Sequence, residues 1–142
     1  MFRQDFQRLS VVRMREAKVL ARAGHHDGAF YLGGMAIECA LEACIARATR
    51  RHEFPDRQRT NRVHTHDLED LLKLAGLERR LTEADPDARA AWTSVKARNV
   101  ETRYTIGKSE AAVTDFLNAA SGRNGVLRWL RQFWLGRICR PK

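Results

Sequence analysis

Apolar residues recur at helical spacing along most of the chain, and this pattern predicts helices. Phe6, Leu9 and Val12 begin the apolar face of a first helix. Asp5 is a candidate N-cap for this helix, and Gly24 is placed to end it after about residue 23. The first two dozen residues therefore predict one amphipathic helix followed by a tight turn.

The second segment differs because residues 29–46 are apolar on nearly every side. A helix with this pattern lies at the centre of a core or has a partner on each side. Asp27 is a candidate N-cap for it. Glu38 is the unusual residue, since a carboxylate in such surroundings must be paired or must face a partner or a wet cavity.

The rest of the chain predicts shorter helices separated by breaks. Polar residues and scattered arginines at about 51–65 predict a long basic loop. Helices are predicted at about 65–76, with another short piece after Leu77, and after the start signal Asp85-Pro86. The last helix is predicted at about 109–134, with Gly122 and Gly125 interrupting it. No stretch shows strand alternation. The predicted fold is all-α, an up-and-down antiparallel bundle of four to five helices in a single domain, residues 1–142, with a basic C-terminal helix.

Composition and charge add a class of partner. The chain has 142 residues with 44% hydrophobic, which is typical of one globular domain. Lys and Arg number 26 against 17 Asp and Glu, a net charge of +9. The clusters at 47–62 and 123–142 would attract polyanions such as nucleic acid, or would simply form a solvated surface.

Neither a membrane nor a disulfide framework is expected. No apolar run approaches the roughly 20 residues of a membrane span, and no signal peptide is visible, so we expect a cytoplasmic protein. Cys39 and Cys44 fall in the apolar second helix, where they are expected to be small buried residues. Trp92, Trp129 and Trp134 fit core positions better than base-stacking positions.

Several segments resemble the HEPN domain family, the higher eukaryote and prokaryote nucleotide-binding helical domains. The resemblance is carried by residues 13–20, 24–27 and 29–46, then by 54–55 with 65–72, and by the Arg103-Tyr104 pair. It covers most of residues 9–134 and is most specific in the first two helices. One departure is Glu42, where the family usually has Lys.

This resemblance implies a helical bundle that is often a homodimer and uses no cofactor. Many members are encoded beside a minimal nucleotidyltransferase in toxin–antitoxin or defence systems. Some members are metal-independent RNases, and others are non-catalytic. The implied partners are therefore a nucleotide or nucleic acid, with RNA preferred over DNA, a second copy of the chain and possibly a nucleotidyltransferase.

The catalytic motif of the RNase members is incomplete here. That motif is an Arg followed four to six residues later by His. The chain has Arg98-Asn99, but the following positions are Thr102, Arg103 and Tyr104. Arg stays protonated near neutral pH, so it cannot replace His as a base in cleavage through the 2′-hydroxyl.

Two sets of candidate site residues follow. The catalytic candidates are Arg98, Asn99 and His66. The candidates for binding nucleotide or phosphate are Arg98, Asn99, Arg103, Tyr104, Arg13 and Glu38. A structural interpretation stays open for each set: a helix end for the Arg98 group, and an interhelical salt bridge for Arg13, Glu16 and Glu38. His64 and His66 have weak ligand spacing, so no metal site is predicted.

Together these observations predict a HEPN-like helical module that binds nucleotide or nucleic acid and is non-catalytic or catalytically degenerate. The alternative is a metal-independent endoribonuclease toxin with a non-standard site. In that alternative Arg98 would stabilise the developing phosphorane charge. His66, or a His from the other subunit, would then be the base.

Overall fold

The computed structural model describes residues 2–48, 65–97 and 106–134. Within these ranges the chain forms helices and no strands, which confirms the predicted all-α bundle. The helices are α1 (Arg3–Arg22), α2 (His26–Ala48), α3 (Leu68–Leu74), α4 (Glu78–Thr82), α5 (Pro86–Val95), α6 (Glu110–Ser121) and α7 (Val126–Trp134).

The structure confirms two predicted divisions of the second half of the chain. The helix predicted at about 65–76 and the short piece predicted after Leu77 are α3, with seven residues, and α4, with five. The predicted last helix is interrupted where Gly122 and Gly125 were expected to interrupt it, and it forms two helices, α6 and α7, separated by a corner at residues 122–125. A Cβ on Gly125 would lie 2.8 Å from the Ala119 carbonyl oxygen, so the corner needs a glycine at this position.

Both predicted N-caps have other roles. The α1 helix begins at Arg3, two residues before Asp5, and the Asp5 carboxylate accepts the Phe2 backbone N–H at 2.9 Å. Asp27 lies inside the first turn of α2, because that helix begins at His26. The Asp27 carboxylate instead accepts the backbone N–H groups of Gly107 and Lys108, at 3.0 and 2.8 Å. It thus ties the start of α2 to the segment that leads into α6.

The centre of the core is α2, as its apolar pattern predicts. It contacts α1, α3, α6 and α7. Ile37 and Leu41 are fully buried within it. At Gly33 the α6 helix approaches closely, since an added Cβ would lie 2.7 Å from Leu117 Cδ2. The core position expected for three tryptophans is confirmed, with 4%, 7% and 4% exposure at Trp92, Trp129 and Trp134.

The α2 helix is the one segment among the described residues that qualifies as a candidate membrane span, although no such span was expected. By length and composition it could cross a membrane, with a mean hydropathy of 1.5. Of its most apolar stretch, 67% is buried inside the bundle. The core helix of a soluble protein passes the same test, so α2 is weak evidence for a membrane span.

Candidate functional site

The sequence-predicted site residues divide between described and undescribed parts of the chain. Arg98, Asn99, Arg103 and Tyr104 lie outside the described residues. Residues 51–64 of the predicted basic loop and residues 135–142 of the basic C-terminal segment also lie outside them. The described candidates are Arg13, Glu38 and His66. The site must therefore be built from these three and from the surfaces around them.

Glu38 is buried on α2 and is held by a histidine from a neighbouring segment. Its side chain is 7% exposed, and its Oε2 lies 3.1 Å from Nδ1 of His66. His66 lies immediately before α3, where Asp67 caps the helix by accepting the N–H groups of Glu69 and Asp70. This N-cap fixes the backbone beside His66 and aims the imidazole at α2.

Glu42 lies one helical turn after Glu38, and the two form with His66 what we call the carboxylate–histidine cluster. Burial is the main cause that raises the pKa of Glu42 from 4.5 to about 7; the charge of Glu38 adds to the rise and His66 opposes it. Two carboxylates this close in a partly buried position cannot both ionise freely. The cluster therefore holds a proton near neutral pH.

The cysteines on α2 are buried as expected. Burial raises the pKa of the Cys39 thiol to about 12, with the nearby charges of Glu42 and Glu38 adding to the effect. Burial likewise raises the pKa of Cys44 to about 12. The Cys44 thiol donates to the Leu130 carbonyl oxygen at 3.6 Å. Neither thiol is suited to nucleophilic chemistry, which needs a thiolate.

The third described candidate, Arg13, pairs with a neighbour on its own helix. Its guanidinium forms an ion pair with Glu16, one turn further along α1. The predicted grouping of Arg13, Glu16 and Glu38 thus appears as one pair within α1 and one pair between Glu38 and His66. Arg13 also lies close enough to Cys39 to lower the pKa of that thiol slightly against the larger upward effects.

A second charged surface lies between α1 and the corner that joins α6 to α7. It is a groove of about 440 Å³, and we call it the basic groove. Buried Met14 and Leu127 form its apolar floor, exposed Val11 also lines it, and Ser121 and Gly122 form part of one side. Its cations are Arg15, Lys18, Arg123, Arg128 and Arg131, and the described lining includes no carboxylate.

The cations of this groove have no acidic partners in the described parts of the chain. Arg128 donates from Nη1 to the Arg123 carbonyl oxygen at 3.2 Å. The Arg131 guanidinium lies 5.9 Å from the centre of the Trp134 ring. Neither contact neutralises charge, and no ion pair reaches any of the five cations within residues 2–48, 65–97 and 106–134.

Two of the five cations in the groove were not singled out by sequence reasoning. Arg123, Arg128 and Arg131 belong to the predicted basic C-terminal cluster, but Arg15 and Lys18 do not. Their signal is the outer face of α1, which carries exposed Arg and Lys side chains at spacings of three, four and seven residues and no exposed acid. The exposed residues of this face are Arg8, Val11, Val12, Arg15, Lys18, Val19 and Arg22.

Another cavity has a different character from the basic groove. It measures about 600 Å³ and lies beside Trp129 at the C-terminal end of α2. The described residues that line it include two arginines and two carboxylates, namely Arg47, Arg80, Glu83 and Asp85. Arg47 is already engaged, because it donates to the Phe133 carbonyl oxygen at 2.7 Å. The described part of this lining therefore carries no excess of positive charge.

Comparison with known proteins gave no match to the chain. No protein-family model matches it, and no curated protein and no solved structure matches it either. The resemblance to HEPN domains therefore rests on the sequence segments described above. The case for function has to be made from the geometry of the two charged sites.

Proposed function

We propose that this chain is a non-catalytic, HEPN-like helical module that binds nucleic acid through the basic groove. The observation that carries the proposal is a concave surface with five cations and no carboxylate among the described residues that line it. Nucleic acids are the commonest polyanions, and a clustered positive face is the usual electrostatic footprint of a protein that binds them.

The chemistry of the lining supports a phosphate ligand. Four of the five cations are arginines, whose planar guanidinium donates two parallel hydrogen bonds to a phosphate. Arg15, Lys18, Arg123, Arg128 and Arg131 are all exposed, so binding does not require an internal ion pair to break first. Charges without internal partners contribute little to folding and remain free for a ligand.

The remaining parts of the proposal come from the resemblance. The His expected after Arg98 is absent, which favours binding without cleavage. A homodimer would present two basic grooves, and a partner nucleotidyltransferase would supply chemistry that this chain lacks. RNA is the preferred ligand on the same ground.

Equilibrium binding to a labelled RNA of about 20 nucleotides tests the proposal. At about 0.1 M salt each lost phosphate contact with a single strand weakens binding by about fivefold, so Arg15→Gln with Lys18→Gln should weaken it by about 25-fold. The matched control is Arg79→Gln with Arg89→Gln, which removes the same net charge from exposed positions outside the groove. An equal loss in both double variants would contradict a role for the groove.

A second candidate function, the metal-independent endoribonuclease, is favoured by one observation. The His66 ring is oriented by the buried Glu38 carboxylate, and its side chain remains 41% exposed. A carboxylate that accepts the Nδ1 proton leaves Nε2 as the basic nitrogen, an arrangement that serves proton abstraction in other enzymes.

Incubating the protein with single-stranded RNA in chelator separates the two functions. The binding module leaves the RNA intact. Cleavage that disappears in both His66→Asn and Arg98→Ala would replace the first proposal with the endoribonuclease. His25→Asn is the matched control, because His25 is an exposed residue in the turn before α2.

A further inference from the structure

We infer that the basic groove holds the sugar–phosphate backbone of a double-stranded nucleic acid and does not distinguish base sequence. This inference rests on the proposed function and adds the class of ligand. Three features of the groove carry it: the absence of aromatic residues from its lining, the concave shape, and the type of polar group that it offers.

The groove lacks the stacking surfaces that single-strand binders use. Such proteins combine a basic channel with aromatic side chains on which bases stack. The described residues that line the groove include no aromatic residue. Phe2 is the one aromatic side chain that is exposed in the described parts of the chain, and it lies nine residues before Val11, about 13 Å along α1.

The concave shape fits the outside of a duplex. Base edges lie at the floor of the duplex grooves and are reached by a protruding helix or strand. The phosphate backbone is the ridge between those grooves. A basic depression of about 440 Å³ between α1 and α7 matches that ridge and presents its arginines to phosphates.

The polar groups in the lining are also unsuited to distinguishing bases. Adenine and cytosine are recognised chiefly by Asn, Gln, Asp or Glu side chains, and the described lining has none of these. Its one hydroxyl, on Ser121, already donates to the Leu117 carbonyl oxygen at 2.8 Å. The remaining donors are cations, which can recognise guanine only from an element inserted into the major groove and which otherwise bind phosphate regardless of the base attached.

Charge density then favours the duplex over the single strand. A duplex carries one phosphate per about 1.7 Å of its axis, counting both strands. When the logarithm of the binding constant is plotted against the logarithm of the salt concentration, each neutralised phosphate contributes about −0.9 to the slope. The corresponding contribution for a single strand is about −0.7. Five contacts predict a slope of about −4.5 on a duplex. That slope corresponds to about 500-fold weaker binding on going from about 50 to 200 mM salt.

The test measures binding affinity across that salt range for three kinds of ligand. They are a duplex of about 24 base pairs, each of its single strands, and a second duplex of scrambled sequence. Each ligand is made both as RNA and as DNA. We expect duplexes to bind more tightly than single strands, and the two duplexes to agree within about twofold. Arg123→Gln should reduce the slope by about 0.9, whereas Arg89→Gln should leave it unchanged.

The outcomes separate this inference from the proposed function. Tighter binding to the single strands, or a preference above about tenfold for one duplex sequence, overturns the inference and leaves nucleic-acid binding intact. Binding to none of these ligands overturns both proposals. Binding that is confined to vesicles of phosphatidylserine and phosphatidylcholine also overturns both, because the groove would then serve a lipid surface.

Discussion

The carboxylate–histidine cluster and the basic groove use charge in opposite ways. Glu38 is buried on the central helix and is paired with His66 inside the fold. The cations of the groove are exposed and have no acidic partner in the described parts of the chain. A buried charge must be compensated where it lies, whereas an exposed one stays hydrated until a ligand arrives.

This difference predicts which property, stability or affinity, each kind of substitution should change. A change in the cluster alters the free energy of unfolding, because a buried group loses its partner or its proton. A change in the groove alters affinity for a polyanion and leaves stability almost unchanged. Four variants test that separation, in order of decreasing expected effect.

Reversing two charges across the groove should have the largest effect. Arg15 and Arg123 line it from α1 and from the α6–α7 corner. The double variant Arg15→Glu with Arg123→Glu should weaken duplex binding by more than about 100-fold at about 0.1 M salt, since two contacts are lost and two repulsions appear. Thermal unfolding should shift by no more than about 2 °C, because exposed substitutions rarely change stability by more than about 0.5 kcal/mol. A large fall in melting temperature would show that the groove also supports the fold.

The next largest effect is expected in the pH dependence of stability, which arises from the carboxylate–histidine cluster. The pKa of Glu42 is about 7 in the folded protein against an ordinary 4.5, so the folded state keeps a proton that the unfolded chain releases. The free energy of unfolding should therefore fall as pH rises from about 4.5 to about 7, by about 2 kcal/mol for a partly exposed carboxyl.

Glu42→Gln isolates this effect in chemical denaturation at several pH values. The variant should lose the fall in stability over that pH window. Glu110→Gln, on the exposed first turn of α6, should keep it. An identical pH profile for Glu42→Gln and the unmodified chain would show that Glu42 does not hold the proton.

Removing the histidine partner should have a smaller effect. His66→Ala takes a hydrogen-bonding group from the buried Glu38 carboxylate. We expect a loss of about 1 kcal/mol in the free energy of unfolding, moderated because the imidazole is 41% exposed. Duplex affinity should stay the same. His25→Ala provides the matched control in urea titrations. Equal losses of unfolding free energy in the two variants would show that His66 has no particular role in stability.

The smallest effect is expected at an ordinary surface ion pair. Arg79 and Glu83 are one turn apart, with Nε and Oε1 separated by 3.3 Å, and the Arg79 side chain is 90% exposed. Arg79→Gln should change stability by less than about 0.5 kcal/mol. Its duplex affinity should also match the unmodified chain. A tenfold loss of affinity would show that total charge, not the groove, governs binding.

The sequence predicted those features that depend on local pattern. Helical periodicity is local, so the all-α bundle, the central position of α2 and the burial of Cys39 and Cys44 follow from it. The two proposed N-caps were less secure, because a helix start depends on backbone angles as well as on residue type. At Asp27 a contact with Gly107 and Lys108, distant in sequence, determines the role.

The candidate site was harder to predict for the same reason. Arg15 and Arg123 are far apart in the chain, and only the packing of α1 against the α6–α7 corner brings them to one groove. Glu38 did stand out as a carboxylate in an apolar helix, but its partner His66 comes from a distant segment. The roles of Arg98, Asn99, Arg103 and Tyr104 stay predictions, since they lie outside the described residues.

The two buried thiols on α2 allow the opening of this helix to be measured. With pKa values of about 12, Cys39 and Cys44 carry almost no thiolate at a pH of about 8, and they are 7% and 3% exposed. An alkylating reagent can then modify these thiols only when the central helix leaves its packing. The rate of alkylation therefore reports how often the helix opens. With Cys139 replaced by Ser, mass spectrometry of timed alkylation would follow the opening of α2 through its own two cysteines.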